Sequence, residues 1–536
     1  MERLSVWESP VLSRFFMLVL AIAIAWIITT WPFSQAALFI FGSILLLLAF
    51  LKPRWALYTL PFTVPFGSIR EVPVGPAMVG GTEVLLACFL IGWACRGIAR
   101  RELYLLAPRQ WRYPPLWDPI LLWYGVMLLS VSQSSSFADS MKELVKWGET
   151  FALYAIAVHE LRRRDMVIII TMTLAAGTLA AVEGIYQSLW LVGPESFKFP
   201  IGNQILLRAY GRFTQPNPYA GYLGMVLPLA YALVAVMRQP QAGSTTQRVP
   251  PSVNSSSTSI PVAVSRQETE DRWLLSPTLS LPPFLSTRSG ILLWAKRCSV
   301  IMFMALFLSL SRGGWIAGVL AAAVVAKLFF NRRPIPLLLL ITGVFTTFAA
   351  LGGSQILPGV VSRVSSIVTY INFINIDLAT VGISAENHSI LERLAHWDAG
   401  IKMWADSPWL GQGIGNYEAT YPIFRTPPWE QALGHAHNLL INTLAETGAL
   451  GLIAYLIFWI SALRLAFEAV QRSSGLWRGI AIGIFAAMVH LHVHNFFDNL
   501  YVHGMYLHIA LLLAIAAKLS QPDKEAFASE AKEVVI

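Results

Sequence analysis

Three arginines and one histidine in this chain have side chains suited to holding an anion and moving a proton. Arg312 lies in Ser309-Leu310-Ser311-Arg312-Gly313-Gly314-Trp315, between two apolar runs. A guanidinium offers phosphate a forked set of donors, and neighbouring glycines let backbone N–H groups approach the same anion. The position equally suits a turn residue that snorkels to a membrane interface. Arg212 lies in Gly211-Arg212-Phe213-Thr214-Gln215-Pro216-Asn217-Pro218-Tyr219, just before another apolar run. There Pro216 and Pro218 fit a helix start and Asn217 fits its cap. Arg393 stands near His396, Trp397 and Asp398. It is either a further anion ligand or a surface partner of Glu392 or Asp398.

His435-Ala436-His437-Asn438 opens a later apolar run. A histidine at a membrane surface suits general-base work because its pKa lies near neutrality, while capping or hydrogen bonding is the plainer role. Two histidines separated by one residue could ligate zinc, but no carboxylate or thiolate lies at ligand spacing, so no metal is assigned. Asn438, Asn442 and Glu446 recur every fourth residue, a polar helix face that reads as structural support. His490, His492 and His494 precede Asn495 and Asp498. On a helix only His490 and His494 share a face, which suits interhelical hydrogen bonding better than a metal site. Glu183 is an isolated acid in an apolar run, and its functional reading is proton coupling. The segment Ser407-Pro408-Trp409-Leu410-Gly411-Gln412-Gly413-Ile414-Gly415 lacks the Lys-Ser/Thr of a nucleotide loop and reads as turns.

The elements that must position these groups are membrane helices. The 536 residues are 55% hydrophobic and 13% charged, with a mean hydropathy of +0.58; a soluble domain usually carries about 25% charged residues. Segments of about 20 apolar residues give roughly fourteen candidate spans, from 13–31 to 503–519. The first is read as a retained span, since no small-residue cleavage site follows it. With the N-terminus inside, 28 of the 39 Lys+Arg fall on the cytoplasmic side, as the positive-inside rule requires. The net charge of +9 is thereby explained by membrane insertion, and nucleic acid is excluded as a partner. Cys88, Cys95 and Cys298 lie in or beside apolar runs and form no disulfide framework.

The fold class is therefore all-α: a polytopic transmembrane bundle of about 12–14 spans with one large, partly helical outer loop. The divisions are helices over 1–210, then 211–353 interrupted by a Ser/Thr/Pro-rich cytoplasmic insertion at 239–290. An outer loop follows at 354–436, then helices at 437–520 and a cytoplasmic tail at 521–536. The insertion cannot bury enough apolar surface to order itself. Within the outer loop, Leu391 to Trp404 has apolar residues at helical spacing and should fold.

Taken as an ordered set, these motifs resemble the O-antigen ligase superfamily, which includes O-antigen polymerases. The resemblance rests on Ser311-Arg312-Gly313-Gly314, on Arg393 and Trp397 in the outer loop, and on Ser407 to Gly413. It rests also on His437 within His-Asn-Leu-Leu-Ile-Asn-Thr-Leu-Ala-Glu-Thr-Gly-Ala-Leu-Gly. It implies inverting glycosyl transfer at the outer face of the inner membrane, without metal or other cofactor. The donor would be an undecaprenyl-diphosphate glycan and the acceptor a hydroxyl on a glycan or lipid. Arg312 and Arg393 would hold the diphosphate, with Arg212 a further contact. His437 would orient or deprotonate the acceptor, with His435, Asn438 and Glu446 in support.

The Pro-Asn-Pro helix start and Ser-Arg-Gly-Gly-Trp look closest to a branch labelled bicarbonate transporter (IctB-type). That label supplies a rival reading, a membrane transporter of inorganic carbon. Transport would place ion ligands and broken helices near the bilayer midplane, usually in repeated halves. Here the basic and histidine residues gather toward the outer interface, which favours the enzyme. A polysaccharide-assembly subunit without catalysis is the third reading.

Overall fold

A computed structural model of the chain describes residues 29–67, 72–74, 77–100, 113–201, 204–239, 287–330 and 387–521, with scattered positions in 18–27 and 378–383. Much of the first expected span, the span at 335–353, nearly all of the 239–290 insertion and the two termini lie outside the described residues. Apart from two short antiparallel hairpins, at 72–79 and 198–207, the regular elements among the described residues are helical. The chain divides into two compact units, 1–60 with 82–111 and 61–81 with 112–536. In the first, a Cβ on Gly92 would stand 2.5 Å from the carbonyl oxygen of Phe50, so glycine alone permits that approach of two helices. Every candidate functional residue belongs to the second unit.

There the helices follow the apolar runs: α1 (Trp117–Ser130), α2 (Phe137–Glu160), α3 (Arg163–Trp190), α4 (Pro216–Arg238), α5 (Arg288–Leu308) and α6 (Arg312–Phe330). Further along come α7 (His388–Asp406) and α8 (Tyr417–Phe424), both within the 354–436 segment, and then α9 (Leu439–Arg472), α10 (Gly475–His494) and α11 (Met505–Ser520). Seven helices among the described residues are long and apolar enough to cross a membrane, six of them being α3, α4, α5, α6, α9 and α10. The expected span at 116–132 is a helix of 14 residues, about 21 Å long and short of a roughly 30 Å core. The expected span at 142–159 is a helix too, but it carries a Lys146–Glu143 ion pair at 2.5 Å and Glu149, which accepts from Tyr506 Oη at 3.4 Å. These three charged groups are satisfied against its own face and α11.

The densest packing joins α4 to α10 and α5, and α10 to α6. Membrane helices associate through close backbone approach rather than hydrophobic burial, so small residues line their contacts. At Gly224 of α4, an added Cβ would stand 1.9 Å from Cε1 of His490 on α10. His490 therefore fills the space the glycine leaves. His490 and His494 do share a face, with ring centroids 5.5 Å apart, while His492 packs on Trp459 at 4.5 Å. His492 Nδ1 meets Met488 O of its own helix at 2.6 Å.

At 34 residues, α9 would be about 51 Å long if straight, well beyond what a bilayer core needs. It breaks at Gly448, which has φ 65° and ψ −167°. The Ser407–Gly415 segment threads through the break. Ala449 N–H donates to Pro408 O at 2.8 Å, and Gln412 N–H donates to Ala445 O at 2.9 Å. The helical bond lost between residues 445 and 449 is thus replaced on both sides. The same segment is pinned to the α1–α2 corner through Asn416, whose Oδ1 accepts from Ser136 N at 2.7 Å and whose Nδ2 donates to Ser140 Oγ at 2.8 Å. Its glycines serve packing: a Cβ at Gly413, where φ is +93°, would lie 2.7 Å from Ser134 Cα.

A Cβ at Gly448 would lie 2.2 Å from the carbonyl carbon of Trp409. Gly448→Ala is predicted to destabilise the solubilised protein by at least the ~1–3 kcal/mol typical of overpacking. Thermal unfolding in detergent measures this, and an unchanged Tm would contradict the interlocked break.

Candidate functional site

The Arg312 turn is built from serines. Ser309 Oγ accepts from Ser311 N at 3.2 Å. Ser311 Oγ accepts from Gly314 N at 3.3 Å, and Ser311 O accepts from Trp315 N at 2.9 Å. Ser311 therefore caps α6 and Arg312 is its first residue. Behind the turn stands Arg208, which donates from Nε to Ser309 O at 3.0 Å and from Nη2 to Asn217 Oδ1 at 3.2 Å. This corrects two sequence readings. Asn217 does not cap α4, whose N-cap is Gln215; it holds Arg208. Gly313 and Gly314 serve helix contacts: a Cβ on Gly313 would lie 3.0 Å from Phe497 Cβ and 3.1 Å from His494 Cδ2, and one on Gly314 would lie 2.8 Å from Ala220 Cβ.

Arg312 Nη2 donates to Ser389 Oγ at 2.9 Å. Arg393, one turn along α7, folds back so that Nη1 donates to Ser389 O at 3.0 Å. Helical side chains lean toward the N-terminus, which explains the second contact. Two guanidinium groups from distant stretches thus meet on one serine in the first turn of α7. That end of a helix presents backbone N–H groups and a positive dipole end. The arrangement is electropositive from three sources.

His437 lies against the same helix, its ring 5.5 Å from that of His396 and nearly perpendicular to it. Its loop is a mould of satisfied backbone donors. Ala436 N–H donates to Asn442 Oδ1 at 3.0 Å, and His437 N–H donates to His435 Nδ1 at 3.0 Å. Leu439 N–H donates to Asn495 O at 2.9 Å. Asn438 Oδ1 accepts from Leu440 N at 3.0 Å and from Ile441 N at 3.2 Å, so it caps α9. Glu446, read as part of the same support, lies two turns on, where its Oε1 accepts from Tyr417 N at 3.2 Å.

A carboxylate completes this corner. Asp498 Oδ1 lies 3.4 Å from His435 Nε2 and 3.6 Å from His437 Nδ1, the second an electrostatic contact longer than a hydrogen bond. The sequence reading that no carboxylate partners the two histidines is therefore corrected. Asp498 is about 60 residues away along the chain, and no spacing signal could reveal it. Ser389 and Arg208 were likewise missed, because an isolated serine and a pre-helix arginine carry no motif. Burial alone would raise the Asp498 carboxyl, but His437, His435 and His494 beside it hold it well below the ordinary carboxylate range. Burial, and then the neighbouring His437, push the His435 ring down to about 3. Asp498 is thus ionised and His435 neutral. Burial and then His437 also lower His396 to about 4.

His435, His437 and Asp498 place one ligand atom each within 4.8 Å of one another. Their 3.4 and 3.6 Å separations approach the ~3.3 Å edge of a tetrahedron with 2.0–2.1 Å zinc bonds. The tautomer disagrees. A ligating histidine donates from its other ring nitrogen, whereas His435 Nδ1 accepts a backbone N–H. Its single proton is consequently on Nε2, the atom that would have to ligate. In this tautomer His435 donates toward Asp498 and offers no lone pair there.

Arg212 is brought elsewhere. Its Nε meets Glu183 Oε1 at 2.5 Å, so Glu183 is an ion-pair partner and not the isolated acid the sequence suggested. Thr214 beside it meets His503 Nε2 at 3.3 Å. The structure brings Arg312 and Arg393 together on the first turn of α7, sets His437 against His396 of the same helix and joins His435 and His437 to Asp498, with Arg212 in a separate ion pair.

A depressed carboxylate stabilises the folded state above its ordinary pKa, and that contribution is lost as pH falls through the folded value. Asp498→Asn should therefore lower Tm by a constant margin from pH 8 to pH 5. The margin should narrow as pH drops below the ordinary value of 3.8. Scanning fluorimetry across pH checks this, and a margin that widens in acid would contradict an ionised Asp498.

Residues 298–456 match the family model described as O-Antigen ligase. That stretch contains Arg312, Arg393 and His437 but neither Arg212 nor Asp498. No curated protein matches the chain. Over that stretch this all-helical membrane chain is similar to O-antigen ligases, which supports a membrane glycosyltransferase of the ligase or polymerase type.

Proposed function

We propose that this protein passes a glycan from an undecaprenyl-diphosphate carrier to a hydroxyl on a glycan or lipid acceptor. The reaction takes place at the outer, periplasmic face of the inner membrane, with both termini in the cytoplasm. The observation that carries the reading is the meeting of Arg312 and Arg393 on Ser389, beside a histidine that borders an ionised carboxylate. Two cations and a helix N-terminus suit a diphosphate, and the histidine suits a hydroxyl.

In the proposed reaction, His437 Nε2 takes the proton of the acceptor hydroxyl while its Nδ1–H faces Asp498. The acceptor oxygen bonds to the anomeric carbon from the side opposite the carrier. The bond from that carbon to the phosphate oxygen breaks, and its electron pair goes to the diphosphate. Arg312 and Arg393 neutralise the charge that develops there. A diphosphate is a good leaving group, so charge neutralisation carries most of the work and no metal is needed. Arg212, held by Glu183, is the most remote of the three arginines and would touch only the outlying part of the donor.

Full-length protein in proteoliposomes, given a radiolabelled undecaprenyl-diphosphate glycan and an acceptor, tests this. Arg312→Ala should slow transfer by about 10²–10³, the usual effect of losing one preorganised donor. His437→Ala should slow it by about 10²–10⁴, and excess EDTA should leave the wild-type rate unchanged. Wild-type transfer in both variants would sink the mechanism. Bicarbonate flux without any glycan would favour transport in its place.

A further inference from the structure

His437 has a backbone φ of +51°, a conformation that a side chain with a Cβ adopts at a steric cost. Strained residues at functional sites persist only when their surroundings over-determine them. Here the constraint comes from two residues back. The His437 N–H is taken up by His435 Nδ1 at 3.0 Å, which closes the turn that the left-handed backbone creates. The two rings stand 4.4 Å apart and tilted by 70°. Because Nδ1 is an acceptor, the one proton of the neutral His435 ring is on Nε2, which faces Asp498 Oδ1 at 3.4 Å. Asp498 Oδ1 in turn faces His437 Nδ1 at 3.6 Å. His435 therefore touches both the main chain of His437 and the carboxylate that flanks its ring.

We infer that His435 is a positioning residue for His437, bracing its backbone through Nδ1 and the Asp498 carboxylate through Nε2–H. This rests on the transferase reading above, in which His437 takes the acceptor proton. A neutral imidazole holds its acceptor and its donor on separate nitrogens of one rigid ring, which lets it face the turn and the carboxylate at once, whereas a shorter amide or hydroxyl reaches only one of them. Lysine and arginine lack the acceptor, and a carboxylate would repel Asp498. The brace acts on orientation and not on donor binding, since Arg312 and Arg393 make the proposed diphosphate contacts from other elements.

Substitutions separate the two halves. In His435→Asn, the amide oxygen replaces Nδ1 as acceptor for the His437 N–H, an Asx-type turn, but the side chain is too short for Asp498. In His435→Gln, the amide N–H₂ reaches toward Asp498 and the turn acceptor is lost. His435→Ala loses both. With full-length protein in proteoliposomes, the alanine variant should lose about 10- to 100-fold in kcat, as for a small misplacement of a catalytic group. Its KM for the donor should stay unchanged. The asparagine and glutamine variants should each recover part of the loss, at a Tm matching the alanine variant.

Equal impairment of all three variants, or wild-type kcat in the alanine variant while His437→Ala is inactive, would overturn the brace. If the alanine variant does not fold, partial activity in the other two with unchanged donor KM still supports it, and a rise in KM with unchanged kcat overturns it. An active His437→Ala instead removes the transferase reading itself, so the two failures are distinguishable.

Discussion

A helix within a bilayer cannot leave backbone groups without partners, and the described architecture turns on how one helix meets that constraint while broken. At Gly448 the long helix α9 changes direction, and the segment around Pro408–Gln412 supplies the missing donor and acceptor. Non-helical backbone at such depth is tolerated only where protein covers it. The covering segment is itself held at the α1–α2 corner by Asn416 and continues into α8. Through it, the outer loop is tied to the bundle by main-chain bonds and not by side-chain contact alone. That attachment is what fixes α7 above the ends of α6 and α10.

Once α7 is fixed, charge decides the rest. Its first turn faces the start of α6, so two helix N-termini and two guanidinium groups are drawn to Ser389. An opposite charge, Asp498, lies buried on the far side of the histidine pair. Burying a carboxylate is costly unless donors surround it, and the imidazoles supply them. The polar corner therefore pairs two guanidinium groups on Ser389 with a buried carboxylate that borders His435 and His437. This polarity matches a reaction in which one partner loses a proton and the other acquires negative charge.

Much of this was legible in the sequence because membrane physics is written in composition. Apolar length located the helices, and two of the residues singled out by motif, Arg312 and Arg393, meet on one serine. The Leu391–Trp404 periodicity gave the outer helix. What escaped was long-range partnership. Asp498 was assigned to a separate histidine cluster on α10, because nothing local marks a carboxylate that reaches a turn some 60 residues earlier. The glycines of Ser407–Gly415 read as turns and those beside Arg312 as backbone able to approach an anion. They prove to be points of close packing, a distinction that depends on what lies opposite each one. Glu183 looked isolated because its partner, Arg212, comes from a loop that returns to α3 only in three dimensions.

The single main-chain bond from Leu439 N to Asn495 O joins the start of α9 to the end of α10, and the histidine turn and its carboxylate lie on either side of it. The separation between His437 and Asp498 is therefore a readout of the register between two membrane helices. One residue of helix rise is ~1.5 Å, enough to convert the observed near-contact into either a true hydrogen bond or a gap. Sliding of these two helices, whether driven by bilayer thickness or by whatever occupies the corner, would be translated directly into the proton affinity of the site.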